Sequence, residues 1–409
     1  MQHTLIADPG PELIPRFANQ GYDPQSVMLR RQWLAKKTGT HLKYMAEFGV
    51  STDEMQGNVE NPVGAAQVPL GIAGPLLIHG LHANGVFYIP LATTEGALVR
   101  SYERGMAVLT RSGGVDARIY LDENCIAPVF CFEGVVESHE FASGLQHHFD
   151  DIRREAERTT QHGKLLRIEP HVQGRNVTVK FSYYTADAHG MNLIAKATDC
   201  ACRWMLSHLG AKDYYLYSGF ESEKHASANL FTSSKGKKVT AGARLPARLL
   251  ELYLRATPTQ FARLWQQTVL GHIQAHSVGY NGHFANGLAA IFIACGQDVG
   301  NLPNCAVGIT NFELTDRGDL YASVTLPSLT VATIGGGTAY GTARECLGVL
   351  GCGTERCAPK LAEVIAATLL AGELSIGAAI ISHEFVAAHE TYGRNRPKGE
   401  PSRFFLHKK

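Results

Sequence analysis

Between Ala127 and Phe220 the spacing of apolar residues changes period several times, and the order of those changes constrains the fold more than any other feature of the chain. Val129 to Val136 alternates as a strand, after which Phe141, Leu145, Phe149, Ile152 and Ala156 fall on one helical face behind Ser138 as a candidate cap. Leu165 to Val172 and Val177 to Tyr184 read as two strands joined by Gln173-Gly174-Arg175-Asn176, a hairpin-like turn. A helix from Met191 to Leu209 then leads to a strand from Tyr214 to Ser218. Strand, helix, strand, strand, helix, strand is the ferredoxin-like (βαββαβ) order, and it predicts an inserted domain over residues 125–220. With 409 residues the chain exceeds what one core usually organises. The class expected is therefore α+β: a helical segment over 1–50, a large helical-core domain from 51–124 and 221–409, and the small insert.

The flanking stretches supply that helical core. Gln25 to Lys37 is an amphipathic pattern whose basic side chains, Arg30 and Arg31 among them, read as a solvated face. Glu60 to Gly74 is too rich in Gly and Pro for regular structure throughout and reads as extended, tightly turned backbone. Val86 to Leu91 is a short strand leading to Thr93 and Thr94, either of which can cap a helix carrying Glu95 in its first turn. Pro258 divides the helical stretch from Pro246 to Leu270 in two. Tyr280 to Asp298 has a middle, Leu288 to Cys295, that is apolar on all sides, the mark of a buried central helix. Asp298 emerges where that helix stops, so its carboxylate should be partly desolvated and need a partner. Leu329 to Ile334 runs as a strand into Gly335-Gly336-Gly337, where backbone can approach a phosphate or a flat ligand, and a helical pattern follows from Ala343 to Leu350. Leu361 to Glu390 is Ala-rich and helical and carries His383 and His389.

Charge and cysteine content narrow the function classes. Lys+Arg 38 against Asp+Glu 37 leaves a net charge of +1, which gives no electrostatic footprint for nucleic acid or an anionic membrane. Lys224 stands in a polar loop, and Lys235, Lys237 and Lys238 follow in Ser- and Gly-rich sequence; solvation at the surface is the default expectation for all four. The nine cysteines lack the spacing of a zinc site or a disulfide framework, which suits a reducing, cytosolic compartment. No signal-peptide pattern opens the chain and no apolar run is expected to reach the roughly 18 residues of a membrane span.

Several stretches together resemble the 3-hydroxy-3-methylglutaryl-coenzyme A reductases: Glu60-Asn-Pro-Val-Gly, Pro90-Leu-Ala-Thr-Thr-Glu-Gly-Ala-Leu-Val, Asp187-Ala-His-Gly-Met-Asn, Asn281-Gly-His-Phe-Ala-Asn, Cys295-Gly-Gln-Asp and Ile334-Gly-Gly-Gly-Thr. The form of the Asp187 motif resembles the family's first class, without the membrane-anchoring segment of its animal members. The resemblance implies NADPH-dependent, four-electron reduction of an acyl-CoA thioester to a primary alcohol, with hydroxymethylglutaryl-CoA the leading substrate. It assigns catalysis to Glu95, Lys224, Asp298 and His389: the lysine stabilises the oxyanion of each reduction, the carboxyls tune proton supply, and the histidine protonates the departing thiolate. Cofactor contacts carry over to Asp187, Gly190, Met191 and Asn192, with Gly336 of the glycine cluster, and with Arg175 and Arg394 for phosphate. Arg104, Ser218, His283 and Asn286 match substrate-side positions, and Tyr280 a packing position. No metal is implied. A homo-oligomer with shared sites is expected. His189 replaces the family's usual methionine, and Cys131, His225 and Gln266 stand where basic side chains would clamp the acyl carboxylate. Those departures leave two alternatives: the same chemistry on a less acidic acyl group, and a non-catalytic CoA-thioester-binding protein.

Overall fold

The computed structural model describes residues 13–17, 21–160, 163–233, 235–353 and 356–384. Two compact units are present, one of residues 1–68 with 339–341 and one of the remainder. In the first, Asp23 caps helix α1 (Pro24–Thr38) by accepting from Ser26 N–H at 2.9 Å, and Gly39 ends it at φ 66°. Arg30 is not part of a solvated face. It is 1% exposed, and its guanidinium donates to the carbonyls of Gly21, Pro15 and Pro62 at 2.7, 3.2 and 3.3 Å, while Arg31 reaches the Val63 carbonyl. Satisfying three loop carbonyls is what makes the charge tolerable inside. A short helix α2 (Lys43–Ala46) follows.

The second unit begins with a hairpin of β1 (Leu70–Gly80) and β2 (Asn84–Ala92), followed by α3 (Leu98–Arg111) and β3 (Val115–Ile126). β1 is parallel to the first residues of β3, and β2 pairs antiparallel to β1. Helix α3 starts later than the Thr93 or Thr94 cap predicts. Ala97 at φ 70° precedes it, and Thr93 Oγ1 instead accepts from the Glu95 N–H, so Glu95 stands in a turn before the helix.

β4 (Val129–Cys131) is shorter than expected because Val135 and Val136 join helix α4 (Val135–Gly144). Ser138 lies inside α4, donating to the carbonyls of Val135 and Gly174, so it is not the cap. A 3-10 turn joins α4 to α5 (Phe149–Glu157), and β5 (Lys164–Gln173), β6 (Asn176–Tyr184), α6 (Met191–His208) and β7 (Asp213–Tyr215) complete the stretch. The strands lie in the order β7-β4-β6-β5, every neighbour antiparallel. Phe130, Phe181 and Tyr183 pack there with Phe141 and Ile152 of the first helices and Ala201 and Met205 of α6. The end of β3 also pairs with β6, so one strand runs from the large sheet into the small one.

The chain returns through β8 (Gly236–Leu245), helices α7 (Ala247–Leu254), α8 (Pro258–Gln274), α9 (Phe284–Ala294) and α10 (Leu302–Cys305), strands β9 (Ile309–Leu314) and β10 (Leu320–Leu329), and helices α11 (Gly341–Val349) and α12 (Ala358–Ile381). The large sheet reads β2-β1-β3-β8-β10-β9. Its inward positions, Val239, Ala241, Ala243 and Leu245 on β8 and Ala322, Val324 and Leu326 on β10, are buried under α12. Helix α9 is buried as expected, but α12 is the centre of the core: it packs on α3, α8, α9 and the four strands β1, β3, β8 and β10, and nearly every residue from Ala358 to Ala379 is buried. At Gly105 the approach of α3 leaves no room for a side chain, since a Cβ would sit 1.9 Å from the Ala371 carbonyl oxygen. By length and hydropathy α12 suffices to cross a membrane, contrary to the expectation of no such run, yet 83% of its apolar window is buried in the protein itself. Its carboxylates are held too: Glu363 accepts from the N–H groups of Leu81, His82 and Ala83 in the β1–β2 turn.

Candidate active site

At the end of α9 the chain turns through Gly296, and Asp298 caps the following 3-10 turn by accepting from Gly300 N–H at 2.9 Å. Its second oxygen lies 2.9 Å from the ammonium of Lys224. Lys224 reaches it from a turn in which Ser222 and Lys224 have φ of 54° and 59°, left-handed conformations that non-glycine residues adopt at a cost. That turn points Glu223 inward and Lys224 outward, with side chains 14% and 50% exposed. Burial pushes the Asp298 carboxyl up, but the ammonium of Lys224 and the N–H of Gly300 outweigh it and hold the carboxyl below its ordinary range. The hydrogen bond to Asp298 in turn raises Lys224. At neutral pH the pair is a carboxylate and an ammonium, so the proton in it resides on the lysine.

The pair opens on a cleft of about 600 Å³ bounded by residues 188–193, 296–298 and 334–338 together with Tyr217 and Glu223. One wall is the start of α6. Gly190 precedes that helix at φ 82°, no side chain caps it, and its first turn holds no acidic residue, so its N-terminal amides are available to an anion. A Cβ on Gly190 would fall 2.5 Å from Thr185 Cγ2. The opposite wall is the glycine loop. At Gly335 and Gly336 a Cβ would meet nothing, so the backbone there is open to a ligand, and the two walls are tied by a bridge between Ala188 and Ile334 and by Thr333 N–H to the Asp187 carbonyl at 3.0 Å. Gln297 fixes the corner by donating to the carbonyls of Cys295 and Ala332 and accepting from Ala332 N–H.

The remaining sequence-derived residues fall into three groups. Gly190, Met191, Asn192 and Gly336 line the cleft with Lys224 and Asp298. Glu95 is held elsewhere, by Asn286 Nδ2 at 3.4 Å; among the described residues no hydrogen bond or ion pair joins it to Lys224 or Asp298. His283 lies between the Tyr102 hydroxyl and the Gly372 carbonyl, and its N–H donates to Glu373. A third group is engaged by the scaffold. Asp187 is 7% exposed and accepts from the N–H groups of Arg356 and Ala358, so it caps α12 from a distance. Arg104 donates to both oxygens of Ser375, Ser218 donates to the Ala127 carbonyl at 2.6 Å, Arg175 stands exposed in the β5–β6 turn, and Tyr280 packs against Phe231 and His272. Cys131, His225 and Gln266 are not among the cleft residues. His389 and Arg394 lie outside the described residues.

Two lysines differ from expectation. Lys235 and Lys237 are 0% and 2% exposed, not solvated. For Lys237 the signal was in the alternation: positions 237, 239, 241, 243 and 245 share one face of β8, and the last four are Val, Ala, Ala and Leu, whereas Lys235 precedes the strand, before Gly236 at φ 88°. Lys237 pairs with Asp122, its neighbour across the β3–β8 ladder, at 2.7 Å. Lys235 pairs with Glu223 at 2.7 Å.

A cleft with an uncapped helix start, side-chain-free backbone opposite it and an ammonium held by a carboxylate has the chemistry to receive an anionic ligand and to stabilise developing negative charge, as an enzyme's site does. Residues 26–394 match the family model described as hydroxymethylglutaryl-coenzyme A reductase. The 3-hydroxy-3-methylglutaryl-coenzyme A reductase of Methanocaldococcus jannaschii is 38% identical over 90% of this chain and 92% of its own length, and that of Aeropyrum pernix is 40% identical over 90% of each. Reductase 1 of Hevea brasiliensis is 32% identical over 91% of this chain and 66% of its own. In fold the chain is similar to the class II reductase of Streptococcus pneumoniae solved with NADPH in open conformations, with a TM-score of 0.67, 19% identity, and coverage of 88% and 99% of the two chains. The chain belongs to the hydroxymethylglutaryl-coenzyme A reductase family and is an oxidoreductase of that family.

Proposed function

We propose that this protein uses NADPH to reduce (S)-3-hydroxy-3-methylglutaryl-CoA to mevalonate and free CoA, a four-electron reaction of the mevalonate route in the cytoplasm. The observation that carries the reading is the Lys224 ammonium, 2.9 Å from Asp298 and facing the cleft. Residues present in the cleft fit a dinucleotide: the amides that open α6 suit a phosphate, and the backbone at Gly335 and Gly336 suits a flat ring. NADPH, when bound, supplies the hydride for each reduction.

The chain supplies the rest. Lys224 donates to the thioester carbonyl oxygen and stabilises the oxyanion that grows there, and Asp298 keeps the lysine charged and aimed. The same ammonium serves the aldehyde stage, with Glu95, presented by Asn286, as the second proton-handling group. His389 protonates the departing CoA thiolate, the role that the family resemblance gives it. Because Glu95 is not bonded to Lys224 or Asp298 within one chain, we infer a homo-oligomer, a homodimer at the simplest, whose sites are completed between copies. In the domain division that accompanies this reading, 1–50 is a helical segment, 51–124 and 221–409 bind CoA and acyl group, and 125–220 form a ferredoxin-like NADP-binding insert. The β7-β4-β6-β5 order supports the last assignment.

Purified protein incubated with NADPH and a panel of acyl-CoAs tests the reading. Consumption of two NADPH per hydroxymethylglutaryl-CoA, with mevalonate and free thiol formed, is expected. Oxidation with another thioester alone overturns the substrate, and tight acyl-CoA binding without turnover overturns catalysis.

A further inference from the structure

Lys235 sits between the α6 start and the turn that carries Lys224, without lining the cleft. Its side chain is 1% exposed, and its ammonium is 2.7 Å from Glu223 Oε2, 3.0 Å from the Cys125 carbonyl oxygen, 3.2 Å from Asn124 Oδ1 and 3.7 Å from Met191 Sδ. Asn124 passes the connection on, its Nδ2 donating to the His189 carbonyl at 2.8 Å. Glu223, next to Lys224, also accepts at 2.9 Å from Asn301, three residues after Asp298. The Lys235 carbonyl is fixed by Ser328 Oγ at 2.8 Å. A fully buried ammonium persists only when its charge is paired and its donors are met. For Lys237 the partner is simply the facing residue of a neighbouring strand. Lys235, which the β3–β8 ladder sets beside the end of β3, also joins the start of α6 and the turn that carries Lys224, which no ladder brings there.

We infer that Lys235 is a positioning residue of the reductase. Its ammonium holds Glu223, and with it the left-handed turn of Ser222 and Lys224, at a fixed distance from the helix start that receives the cofactor. The catalytic ammonium is thereby registered to the wall of the cleft formed by the α6 start. This rests on the proposed function, and it adds a requirement that the Lys224 and Asp298 pair alone does not impose: NADPH affinity and turnover depend on the same buried group.

The test uses the full chain with Lys235→Met and the double variant Glu223→Gln with Lys235→Met, measured for NADPH affinity by fluorescence titration, for kcat and acyl-CoA KM, and for thermal midpoint. In Lys235→Met, kcat is expected to fall on the order of 10²-fold, the size of effect that small misplacement of a reacting group produces, and NADPH binding to weaken. The acyl-CoA KM changes little. The double variant leaves no unpaired buried charge, so its thermal midpoint recovers while kcat and NADPH affinity stay low. If Lys235→Met does not fold, the double variant decides. Recovery of kcat and NADPH affinity along with the midpoint overturns the inference, as does a Lys235→Met protein that is less stable but fully active. If wild type turns over no acyl-CoA, the proposed function fails, while a difference in NADPH affinity between wild type and variant still supports the coupling.

Discussion

Asp187→Ala separates a structural role from a ligand contact at a position where the family motif alone suggests the latter. The carboxylate is 7% exposed and accepts from the Arg356 and Ala358 N–H groups, the latter at 3.0 Å, at the start of a 24-residue helix whose own N-cap residue, Cys357, does not cap the helix amides with its side chain. Removing it leaves two amides without an acceptor. Each buried unpaired group costs about 1–3 kcal/mol, and loss of the negative charge at a helix N-terminus adds roughly 0.3–1 kcal/mol. The terms sum to about 2–7 kcal/mol, and the lower half of that range is expected because Arg356 is exposed and water reaches its amide. Asp187→Asn keeps one accepting oxygen and costs about half as much. Urea unfolding reads both, as a lower midpoint at unchanged slope. NADPH affinity falls in step, because the same residue's carbonyl holds Thr333 beside the glycine loop. If Asp187→Ala unfolds within about 0.5 kcal/mol of wild type, the remote-cap argument is wrong.

Gly190→Ala places a Cβ 2.5 Å from Thr185 Cγ2 at a φ of 82°, so it is expected to lower stability by about 1 kcal/mol or more and to weaken NADPH binding, checked by thermal midpoint and titration. Glu373→Gln replaces a buried carboxylate that accepts from the N–H groups of Gly282 and His283 and from the Thr310 hydroxyl; a loss of about 1–3 kcal/mol is expected in urea unfolding. For the pH dependence, Lys224 is raised by Asp298, so its contribution to stability is complete below the ordinary lysine value of about 10.4 and is lost as pH rises through the higher folded value. Asp298 is depressed, with burial outweighed by Lys224 and Gly300, so its contribution is present above about 3.9 and is lost as pH falls through the lower folded value. Side chains 50% and 45% exposed keep the pair's worth under about 1 kcal/mol. The stability gap between wild type and Asp298→Asn is thus expected to be small and flat from roughly pH 5 to 9 and to close outside it, measured by urea midpoints across pH.

The stretch from β4 to β7 was legible because its strands and helices are amphipathic with clear periods: Val177 to Tyr184 and Met191 to Leu209 lie within a residue or so of β6 and α6. Loop chemistry was legible where turn residues marked it, as at Gly174 and at Pro258, which opens α8. The large sheet was harder to see. β1 contains Gly71, Gly74 and Pro75, which read as breakers, yet its register with β2 slips there between Ala73 and Leu76 and the strand continues. β8 was masked by Lys235, Lys237 and Lys238, whose charges suggested surface although two of them occupy inward positions. Helix α12 was recognised as helical, but Gly372 and Gly377 hid its central place; they mark close helix contacts, with a Cβ on Gly372 lying 2.5 Å from the Tyr102 ring. At the site, the residues alone gave Asp298 a partly desolvated place in need of a partner, while Lys224 and the α6 start were picked out by the family resemblance and not by single-residue chemistry. The role of Asp187 depends on partners more than a hundred residues away, and that of Lys235 on Asn124 and Cys125 as well as nearby Glu223; neither has a local signature.

Turnover by Lys224→Met, with NADPH and hydroxymethylglutaryl-CoA both saturating, bears most directly on the claim that one ammonium carries the reductive chemistry. Loss of a donor to a developing oxyanion costs on the order of 10²–10³ in kcat, so kcat is expected to drop by that factor while the nucleotide still binds through the α6 start. A methionine variant that reduces the thioester at the wild-type rate contradicts the account.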